Sequence, residues 1–495
     1  MKTFNVTKIP AKVFWCVILA LTIISRFLLL TNKPVHFDEG INGWFVMKMA
    51  ETGFYKYDPT NYHGPLYFYL LKVFELLGGR EIFTLRTLPV VFGVASIAIF
   101  ARGYIKSLAV QRWVALLLLI SPAFVFFSRS GIHESPFVFF QIVFALGVLR
   151  WMETPDGKAL ALALLGLFGM ATLKETFAIT LFCWGLAFVS AGWANFRSLS
   201  LIPSVWSRKL TYLLLFLLVL FVQLFTGFLH NLVGLVDFVK AFLPWLQTGV
   251  GETGHNKEFL YWIKVLWEAE PLALVGVALA LLNLSSKNIQ LRAVSVFAIS
   301  QLLIYSLIPY KTVWCILSLV WGFYFVIAFQ IARVESWKKW QNATLAGVAG
   351  LAALVGIKSL YDSNYRVPIA MDHPYVYVNT TYEAKAIYEA VLQKADSESP
   401  VQLGSKEQWP YPWIYSKMTR LHYDNCRDRV LESALVYYCD AEDAMKVQLQ
   451  LTEPYMRIDV ALRQSTGVST VYLKYSEFAE IYSGPYVLVG ENEEP

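Results

Sequence analysis

Charged residues are scarce in this chain. Asp, Glu, Lys and Arg make up 16% of its 495 residues, whereas a soluble globular protein carries about 25%. Hydrophobic residues make up 56%, and the mean hydropathy is +0.48. This composition excludes an ordinary soluble enzyme and predicts a helical protein that crosses the membrane several times.

The chain also lacks the usual marks of metal and nucleic-acid binding. It has seven histidines and five cysteines, with no HExxH sequence and no Cys/His cluster at metal-ligand spacing. Its net charge of +6 is expected to reside mainly in cytoplasmic loops, so we predict no nucleic-acid partner. The first apolar run has no small-residue cleavage site and is expected to be retained as a span.

Eleven apolar runs predict membrane-spanning helices. They lie at 11–31, 86–103, 112–128, 136–151, 158–172, 175–193, 210–229, 260–284, 291–309, 313–332 and 343–360. The run 65–77 is shorter and contains Lys72 and Glu75. We therefore assign it, like residues 39–52, to a helix that lies at the membrane interface among the lipids.

The basic residues fix the predicted orientation. With the N-terminus in the cytoplasm, every short inner loop is basic, as the positive-inside rule requires. Counting 65–77 as a span would put most of these loops outside. We therefore predict a multi-pass protein of the cell membrane whose first outer loop, 32–85, and hydrophilic tail are extracytoplasmic.

The tail has the character of a small folded domain. Strand-like segments lie at 375–378, 434–438 and 486–489, and helix-like segments at 381–395 and 440–450. We predict an all-α transmembrane domain over 1–362 and an α/β domain over 363–495. Cys426 and Cys439 could form a disulfide if the tail is extracytoplasmic. The other three cysteines lie in apolar runs and are expected to pack as hydrophobic residues.

This orientation gathers many ionisable side chains on the outer membrane face. They are Asp38, Glu39, His63, Arg86, Arg129, His133, Glu134, Lys174, Glu175, His255 and Lys311. Adjacent carboxylates beside a membrane are costly unless they meet water, a cation or a substrate. Carboxylates next to several cations suit an acid–base centre beside an anionic group such as a phosphate.

Each of these residues also has an ordinary structural interpretation. Asp38 and Glu39 could simply start a helix, and so could Glu134. The cations could reach lipid headgroups, and the histidines could close turns. Asp38 and Glu134 could hold Mg²⁺ or Mn²⁺ through oxygen ligands, although the sequence does not require a metal.

Three further features are candidates for substrate binding. In the tail, Trp409-Pro410-Tyr411-Pro412-Trp413 alternates aromatic residues with prolines. Trp409 and Trp413 could stack on a sugar ring or cover the outer face, or they could pack internally. His63 precedes a Gly-Pro turn, and His255 follows a glycine-rich loop.

The order of these motifs resembles that of the GT-C glycosyltransferases, which include protein O-mannosyltransferases and the lipid A aminoarabinose transferase. The matching stretches are 36–45, 61–70, 78–93, 127–136 and 171–176. More narrowly, Tyr310-Lys311-Thr312 followed by Trp314, with the stretch 409–413, resembles the flippase-activity-associated proteins of archaeal N-glycosylation, a subgroup with bacterial members.

The resemblance implies a sugar donor carried on a polyprenyl phosphate and used on the outer membrane face. The sugar would pass with inversion to a protein, lipid or glycan acceptor. Asp38 matches the general base, which would deprotonate an acceptor hydroxyl. Glu39 would orient that base, or bind the acceptor or a metal. Glu134 matches the second acidic position.

The resemblance also assigns the cations. Arg86 and Lys174 would hold the lipid phosphate and stabilise the leaving charge, with help from Lys311 or Arg129. The leading hypothesis is thus a membrane glycosyltransferase, a hexosyl or pentosyl transferase. The alternative is a non-catalytic partner or flippase-associated protein that binds lipid-linked sugars. An ion-coupled transporter is disfavoured, because transporter sites lie near mid-membrane rather than at one edge.

Overall fold

The structure, a computed structural model, describes residues 6–61, 63–192, 197–251, 255–333, 339–370, 372–463 and 466–490. It contains two compact units. The first comprises Met1–Leu30, Thr52–Pro368 and His373–Tyr375, and the second comprises Thr31–Glu51, Ile369–Asp372 and Val376–Pro495. The main division after Pro368 lies close to the predicted boundary, but residues 31–51 belong to the second unit.

The first unit is helical. Its helices are Ala11–Phe27, Leu66–Gly78, Ile82–Ala98, Leu108–Ile120, Pro122–Ser128, Glu134–Glu153, Gly157–Ala171, Phe177–Ser190, Ile202–Val205, Arg208–Phe225, Gly234–Lys240, Phe242–Val250, Tyr261–Ala269, Pro271–Asn283, Ile289–Leu307, Ile316–Ile331 and Lys339–Tyr361. Each predicted apolar run overlaps at least one of them. Ile316–Ile331 is apolar on all sides and buried along nearly its whole length, so it forms the centre of this unit.

Two runs predicted as single helices are broken at prolines. The run 112–128 bends by 65° before Pro122, and the run 260–284 is interrupted before Pro271. A proline disfavours the helical conformation of the residue before it. Ser121 is accordingly extended, and its hydroxyl caps the following helix. The prediction of a continuous helix is therefore wrong at both places.

Helix length limits the number of evident spans. By length and composition, five helical stretches in the described part could cross a membrane, and the bent pair would make six. The five are Ile82–Arg102, Glu134–Glu153, Arg208–Phe225, Ile289–Leu307 and Val313–Ile331. Three further apolar helices have 13 to 15 residues, or about 20–23 Å. They are shorter than a hydrocarbon core of about 30 Å. Helix length and composition in the described residues therefore support fewer membrane spans than the eleven predicted.

The second unit is built on one six-stranded sheet. Its strands are β1 (Val401–Leu403), β2 (Leu421–His422), β3 (Val436–Asp440), β4 (Tyr455–Ala461), β5 (Val468–Lys474) and β6 (Val487–Val489), in the order β2-β1-β3-β5-β4-β6. Strand β1 pairs in parallel with β2 and β3, and the remaining pairs are antiparallel. Two further helices are Tyr382–Lys394 and Ala444–Gln448.

The prediction of this α/β unit is confirmed in class but not in every element. The segment predicted as a strand over 375–378 forms none; beside it Asn379 makes a single bridge with His36. The expected helix over 440–450 shortens to Ala444–Gln448. Cys426 and Cys439 form a disulfide within the core of the unit.

The helix Phe37–Thr52 is part of this second unit, because two of its glycines allow close packing. A Cβ on Gly40 would lie 2.5 Å from the Cβ of Pro410, and one on Gly43 would lie 2.2 Å from Nε1 of Trp413. Any larger residue at either position would overlap these side chains. This contact explains why residues 31–51 group with the C-terminal residues rather than with the helices around them in sequence.

Candidate active site

A short backbone pairing brings His63 next to Lys174. The N–H of Gly64 donates to the carbonyl oxygen of Leu173 at 2.9 Å, and His63 forms an antiparallel bridge with Lys174. A Cβ on Gly64 would lie 2.1 Å from the carbonyl oxygen of Thr172, so only glycine permits this approach. Burial, assisted by the charge of Lys174, lowers the pKa of His63 to about 4.

Lys174 forms a buried ion pair with Glu134. Its Nζ contacts Oε1 of Glu134, and the two side chains are 11% and 3% exposed. Sγ of Cys315 lies 3.9 Å from both of these atoms. Burial acts to lower the pKa of Lys174, but Cys315 and Glu134 raise it more, so the net direction is upward. We infer from the carboxylate contact that the ammonium stays charged.

Lys311 is positioned by a second backbone pairing. The backbone N–H of Lys311 donates to the carbonyl oxygen of His255 at 3.1 Å. The backbone N–H of Lys257 donates to the carbonyl oxygen of Pro309 at 2.9 Å. The Nζ of Lys311 donates to the carbonyl oxygens of Ile308 at 2.5 Å and Lys257 at 3.2 Å. Within the described ranges no carboxylate pairs with Lys311, and burial lowers its pKa.

These groups surround one cavity of about 170 Å³. Its polar lining residues are His63, Lys174, Glu175, Thr176, Lys311 and Thr312, and its aromatic lining residues are Trp245, Trp262, Tyr305, Tyr310 and Trp314. A concave, mainly apolar cavity with a few converging polar groups is the usual form of a small-molecule site. The two lysines among its lining residues, Lys174 and Lys311, favour an anionic ligand.

The cavity brings together some predicted residues and leaves others out. His63, Lys174 and Lys311 line it, while Glu134 lies behind Lys174 as its partner. His255 contributes its backbone to the Lys311 pairing and packs its ring edge-on against Tyr310. Two of the predicted cations, Lys174 and Lys311, thus line one cavity, and their proposed roles stay predictions.

Two predicted phosphate ligands, Arg86 and Arg129, donate hydrogen bonds to backbone carbonyl oxygens, and their role as phosphate ligands stays a prediction. Arg129 donates hydrogen bonds to four carbonyl oxygens in and just after the last turn of the first helix. They belong to Ser25, Arg26, Leu28 and Leu29. Arg86 donates to the carbonyl oxygen of Leu30 at 2.8 Å. Neither is among the cavity-lining residues within the described ranges. Cations that satisfy unpaired carbonyls at a helix C-terminus stabilise that end.

The acidic pair lies in the second unit, at the start of the helix Phe37–Thr52. Glu39 is fully buried, and its Oε2 accepts a hydrogen bond from the N–H of His36 at 2.8 Å. A glutamate that accepts the N–H of the residue before the helix supplies one half of a capping box. The Asp38 side chain is 33% exposed and lies 3.9 Å from Nδ1 of His36. Asp38 is thus the member of the pair that a ligand can reach.

The tryptophans of the tail contact this same helix. Trp413 is buried against Gly43, and Trp409 packs edge-on against Trp44 at 5.9 Å. Arg463 donates to the carbonyl oxygen of Trp409 at 3.0 Å. The burial of Trp413 fits internal packing, which was one of the two interpretations left open by the sequence. Their role as substrate-binding residues stays a prediction.

The possible metal site at Asp38 and Glu134 stays a prediction, and the surroundings of Glu134 do not favour it. Glu134 already holds the Lys174 ammonium, and a divalent cation at its Oε1 would meet that positive charge. A separate acidic group, Asp440, Glu442 and Asp443, could offer three ligand atoms. Its members pair with Lys406 and Arg427. The residues present therefore do not fit a metal cofactor at Glu134, and no reaction step is derived through one.

Two buried acids were given no role from the sequence: Glu175, which was only grouped with the outer-face residues, and Glu270, which was not singled out. Oε1 of Glu175 accepts a hydrogen bond from the Tyr57 hydroxyl at 2.7 Å. Glu270 accepts hydrogen bonds from the hydroxyls of Ser121, Tyr324 and Tyr375. Both acids interrupt apolar runs, which marks an ionisable residue as a functional or structural candidate. Their tyrosine partners are distant in sequence and could not have been found by spacing.

Comparison with known proteins identifies the fold. No protein-family model and no curated protein sequence matches the chain. Among solved structures, ArnT from Cupriavidus metallidurans in the apo state is similar, with a TM-score of 0.61. The same protein bound to undecaprenyl phosphate gives a TM-score of 0.62. Each is 12% identical and matches over 93% of this chain and 97% of that chain.

The predicted fold class is therefore confirmed. The chain has the ArnT-like GT-C fold, with several apolar helices and a small C-terminal sheet domain. It is a multi-pass membrane protein by fold and by its apolar helices. The cytoplasmic placement of the N-terminus stays a prediction, as does the narrower resemblance to the flippase-activity-associated subgroup.

Proposed function

We propose that this protein is an integral-membrane glycosyltransferase that takes a sugar from a polyprenyl-phosphate donor. The cavity between Lys174 and Lys311 carries the proposal. Lys311 has no carboxylate partner in the described ranges, so its charge is available to an anion. A lipid phosphate at the membrane edge is such an anion, and charge-assisted hydrogen bonds would hold it.

The fold supports the same donor class. A GT-C fold similar to ArnT, which has been solved with undecaprenyl phosphate, spans 93% of this chain. Tyr310, Lys311, Thr312 and Trp314, which resemble the flippase-activity-associated subgroup, all line the cavity. That placement supports a role for this motif in donor binding, and membership of the subgroup is part of the proposal.

The proposed reaction needs a base and a stabilised leaving group. Asp38 takes the proton of an acceptor hydroxyl, whose oxygen attacks the anomeric carbon from the face opposite the phosphate. The carbon–oxygen bond to the phosphate breaks, the configuration inverts, and the lipid phosphate leaves with an additional negative charge. Lys311 and Lys174 stabilise that developing charge. Glu39 holds the start of the helix on which Asp38 lies.

We place the reaction on the extracytoplasmic face, with the cavity and the C-terminal domain outside. The disulfide between Cys426 and Cys439 supports this placement, since disulfides persist in oxidising compartments. In a variant without its three free cysteines, Cys introduced at Thr60 should react with an impermeant maleimide in intact cells. Cys introduced at Val205 should not, and its labelling would overturn the orientation.

The donor site is tested by native mass spectrometry of the detergent-purified protein with added undecaprenyl phosphate. The wild-type protein should carry a lipid-phosphate adduct, and Lys311→Ala should lose most of it. Lys264→Ala is the matched control, because its ammonium is 73% exposed and pairs with Glu268 on the surface. Equal adducts in wild type and Lys311→Ala would contradict the proposed phosphate site.

A non-catalytic protein that binds lipid-linked sugars is the second candidate, since the same cavity would serve it. Only the enzyme needs Asp38. Asp38→Asn should keep the undecaprenyl phosphate adduct and abolish transfer of radiolabelled sugar in membranes. Unchanged transfer by Asp38→Asn would remove this residue as the base, whereas binding without any transfer by the wild type would favour the binding protein.

A further inference from the structure

His63 has one ring nitrogen bonded to the backbone and the other open to the cavity. Its Nδ1 lies 2.5 Å from the carbonyl oxygen of Asn61. Because a carbonyl oxygen can only accept, Nδ1 must carry the proton, and a neutral ring then has its lone pair on Nε2. Within the described ranges this Nε2 has no hydrogen-bond partner, yet it is not sealed from solvent as Nε2 of His133 is. Since His63 lines the cavity, Nε2 is the end of the ring that a ligand can reach.

Two features of the protein keep this ring neutral. The ring packs against that of His133, with 4.4 Å between their centroids, and the backbone of His63 pairs with that of the cation Lys174. Burial, together with the charge of Lys174, lowers the pKa of His63 to about 4. At neutral pH the ring therefore adds no charge to the two lysines that line the cavity, Lys174 and Lys311.

An anion in the cavity would act on His63 in the opposite direction. A negative charge near an imidazole favours its protonated form and raises its pKa. Lys174 and Lys311 line the same cavity and would attract such an anion there. A protonated ring would donate from Nε2 while Nδ1 keeps its bond to Asn61. A third cation can therefore form beside the anion without any rearrangement of the ring.

We propose that His63 is a proton-coupled ligand of the donor phosphate. It takes up one proton from solvent at Nε2 when the lipid phosphate binds, and it donates that N–H to a phosphate oxygen. This inference rests on the proposed function, because it assumes that the anion is a lipid phosphate held by Lys311. Since the complex binds one more proton than the free protein, the affinity for the phosphate rises as the pH falls from neutral. The rise ends near pH 4, where the free protein is protonated at His63 as well.

Other charged or titratable side chains surround His63 and must be separated from it. They are Tyr67, His133, Glu134, Lys174, Glu175 and Lys311. Glu134 is paired with Lys174, and His133 is not among the lining residues in the part of the chain that the structure describes. Glu175 does line the cavity, and protonation of its carboxylate at low pH would also favour an anion. A Glu175→Gln variant is therefore measured beside the His63 variant.

Binding to the full-length, detergent-purified protein at two pH values tests the coupling. The probe is undecaprenyl methyl phosphate, a phosphodiester that keeps one negative charge throughout, whereas undecaprenyl phosphate itself titrates at about pH 6. The wild-type protein should bind the diester about tenfold more tightly at pH 5 than at pH 7.5. Glu175→Gln should keep this dependence, and His63→Gln should reduce it to less than twofold. His230→Gln is the matched control, because Nδ1 of His230 also bonds to a backbone carbonyl, at 2.8 Å, but its ring is exposed and outside the cavity.

Calorimetry of the wild-type protein gives a second measurement that needs no variant. Titration with the diester at pH 5.5, in buffers of different ionisation enthalpy, counts the protons exchanged on binding, and the count should be a net uptake. Equal affinity at both pH values, or no proton uptake, would overturn the coupling and leave the donor phosphate site standing. A pH dependence that persists in His63→Gln would assign the titration to another group and overturn the role of His63. Failure of both the diester and undecaprenyl phosphate to bind at any pH would overturn the proposed function itself.

Discussion

Removing one member of the Glu134–Lys174 pair should destabilise the first unit severely. Both side chains are nearly inaccessible, at 3% and 11% exposed, and the Lys174 ammonium has Glu134 as its carboxylate partner. Glu134→Ala would leave that ammonium buried beside an uncharged thiol. Breaking a buried ion pair in this way costs about 3–5 kcal/mol, because the remaining charge is uncompensated. We therefore expect a loss of about 3 kcal/mol or more in the free energy of unfolding.

The assay is equilibrium unfolding by SDS in mixed micelles, followed by circular dichroism. Glu268→Ala is the control, because the Lys264–Glu268 pair is exposed and its atoms lie 3.9 Å apart. Loss of such a surface pair should cost less than about 1 kcal/mol. The double variant Glu134→Leu/Lys174→Met should recover most of the lost stability, since replacing both charges removes the unpaired one.

Two results would refute this reasoning. A loss below about 1 kcal/mol in Glu134→Ala would mean that water or another group reaches the Lys174 ammonium. A double variant as unstable as the sum of the two single variants would mean that the side chains matter for shape rather than for charge. Either result would also weaken the argument that Glu134 keeps Lys174 charged beside the cavity.

Three other predictions concern separate contacts. Burial lowers the pKa of His63 from 6.5 to about 4 and also lowers the pKa of His133, so the unfolded chain binds more protons than the folded one in this range. Stability should therefore fall from pH 6.5 towards pH 4, and His63→Gln should flatten this pH dependence, measured by SDS unfolding at each pH. Gly43→Ala should lower the free energy of unfolding by about 1–3 kcal/mol, because its methyl group would overpack against Trp413. Thermal unfolding should show a smaller loss when the same substitution is made in a Trp413→Phe protein. An equal loss in the wild-type and Trp413→Phe proteins would contradict the contact. Arg129→Lys should lower the unfolding free energy by about 2 kcal/mol, because an ammonium cannot reproduce the guanidinium's four carbonyl contacts, and a neutral result would contradict its capping role.

The helices could be predicted because the length of each hydrophobic run can be read from the sequence alone. The breaks before Pro122 and Pro271 could also have been predicted, since proline affects the residue before it. Charge placement grouped eleven ionisable residues on one face, and four of them, His63, Lys174, Glu175 and Lys311, line the cavity. Their roles in the site stay predictions.

Long-range packing was not predictable in the same way. Arg129 was interpreted as a phosphate ligand, because nothing in its neighbourhood shows that four carbonyls lie about a hundred residues earlier in the chain. The Tyr57–Glu175 contact joins residues 118 positions apart. The strands β4 and β5 were missed because their alternating polar residues gave them too little apolar character. Single-sequence patterns carry no information about such pairings.

The packing of residues 31–51 has a consequence for biosynthesis. These residues are made early, but the side chains against which their helix packs, Pro410 and Trp413, are made nearly four hundred residues later. The helix that carries Asp38 therefore cannot reach its native environment until Trp413 has been translated. A chain released before that point would contain every cavity-lining residue and still lack the support for this carboxylate. Any reaction that uses Asp38 as its base therefore depends on residues far along the chain from the cavity.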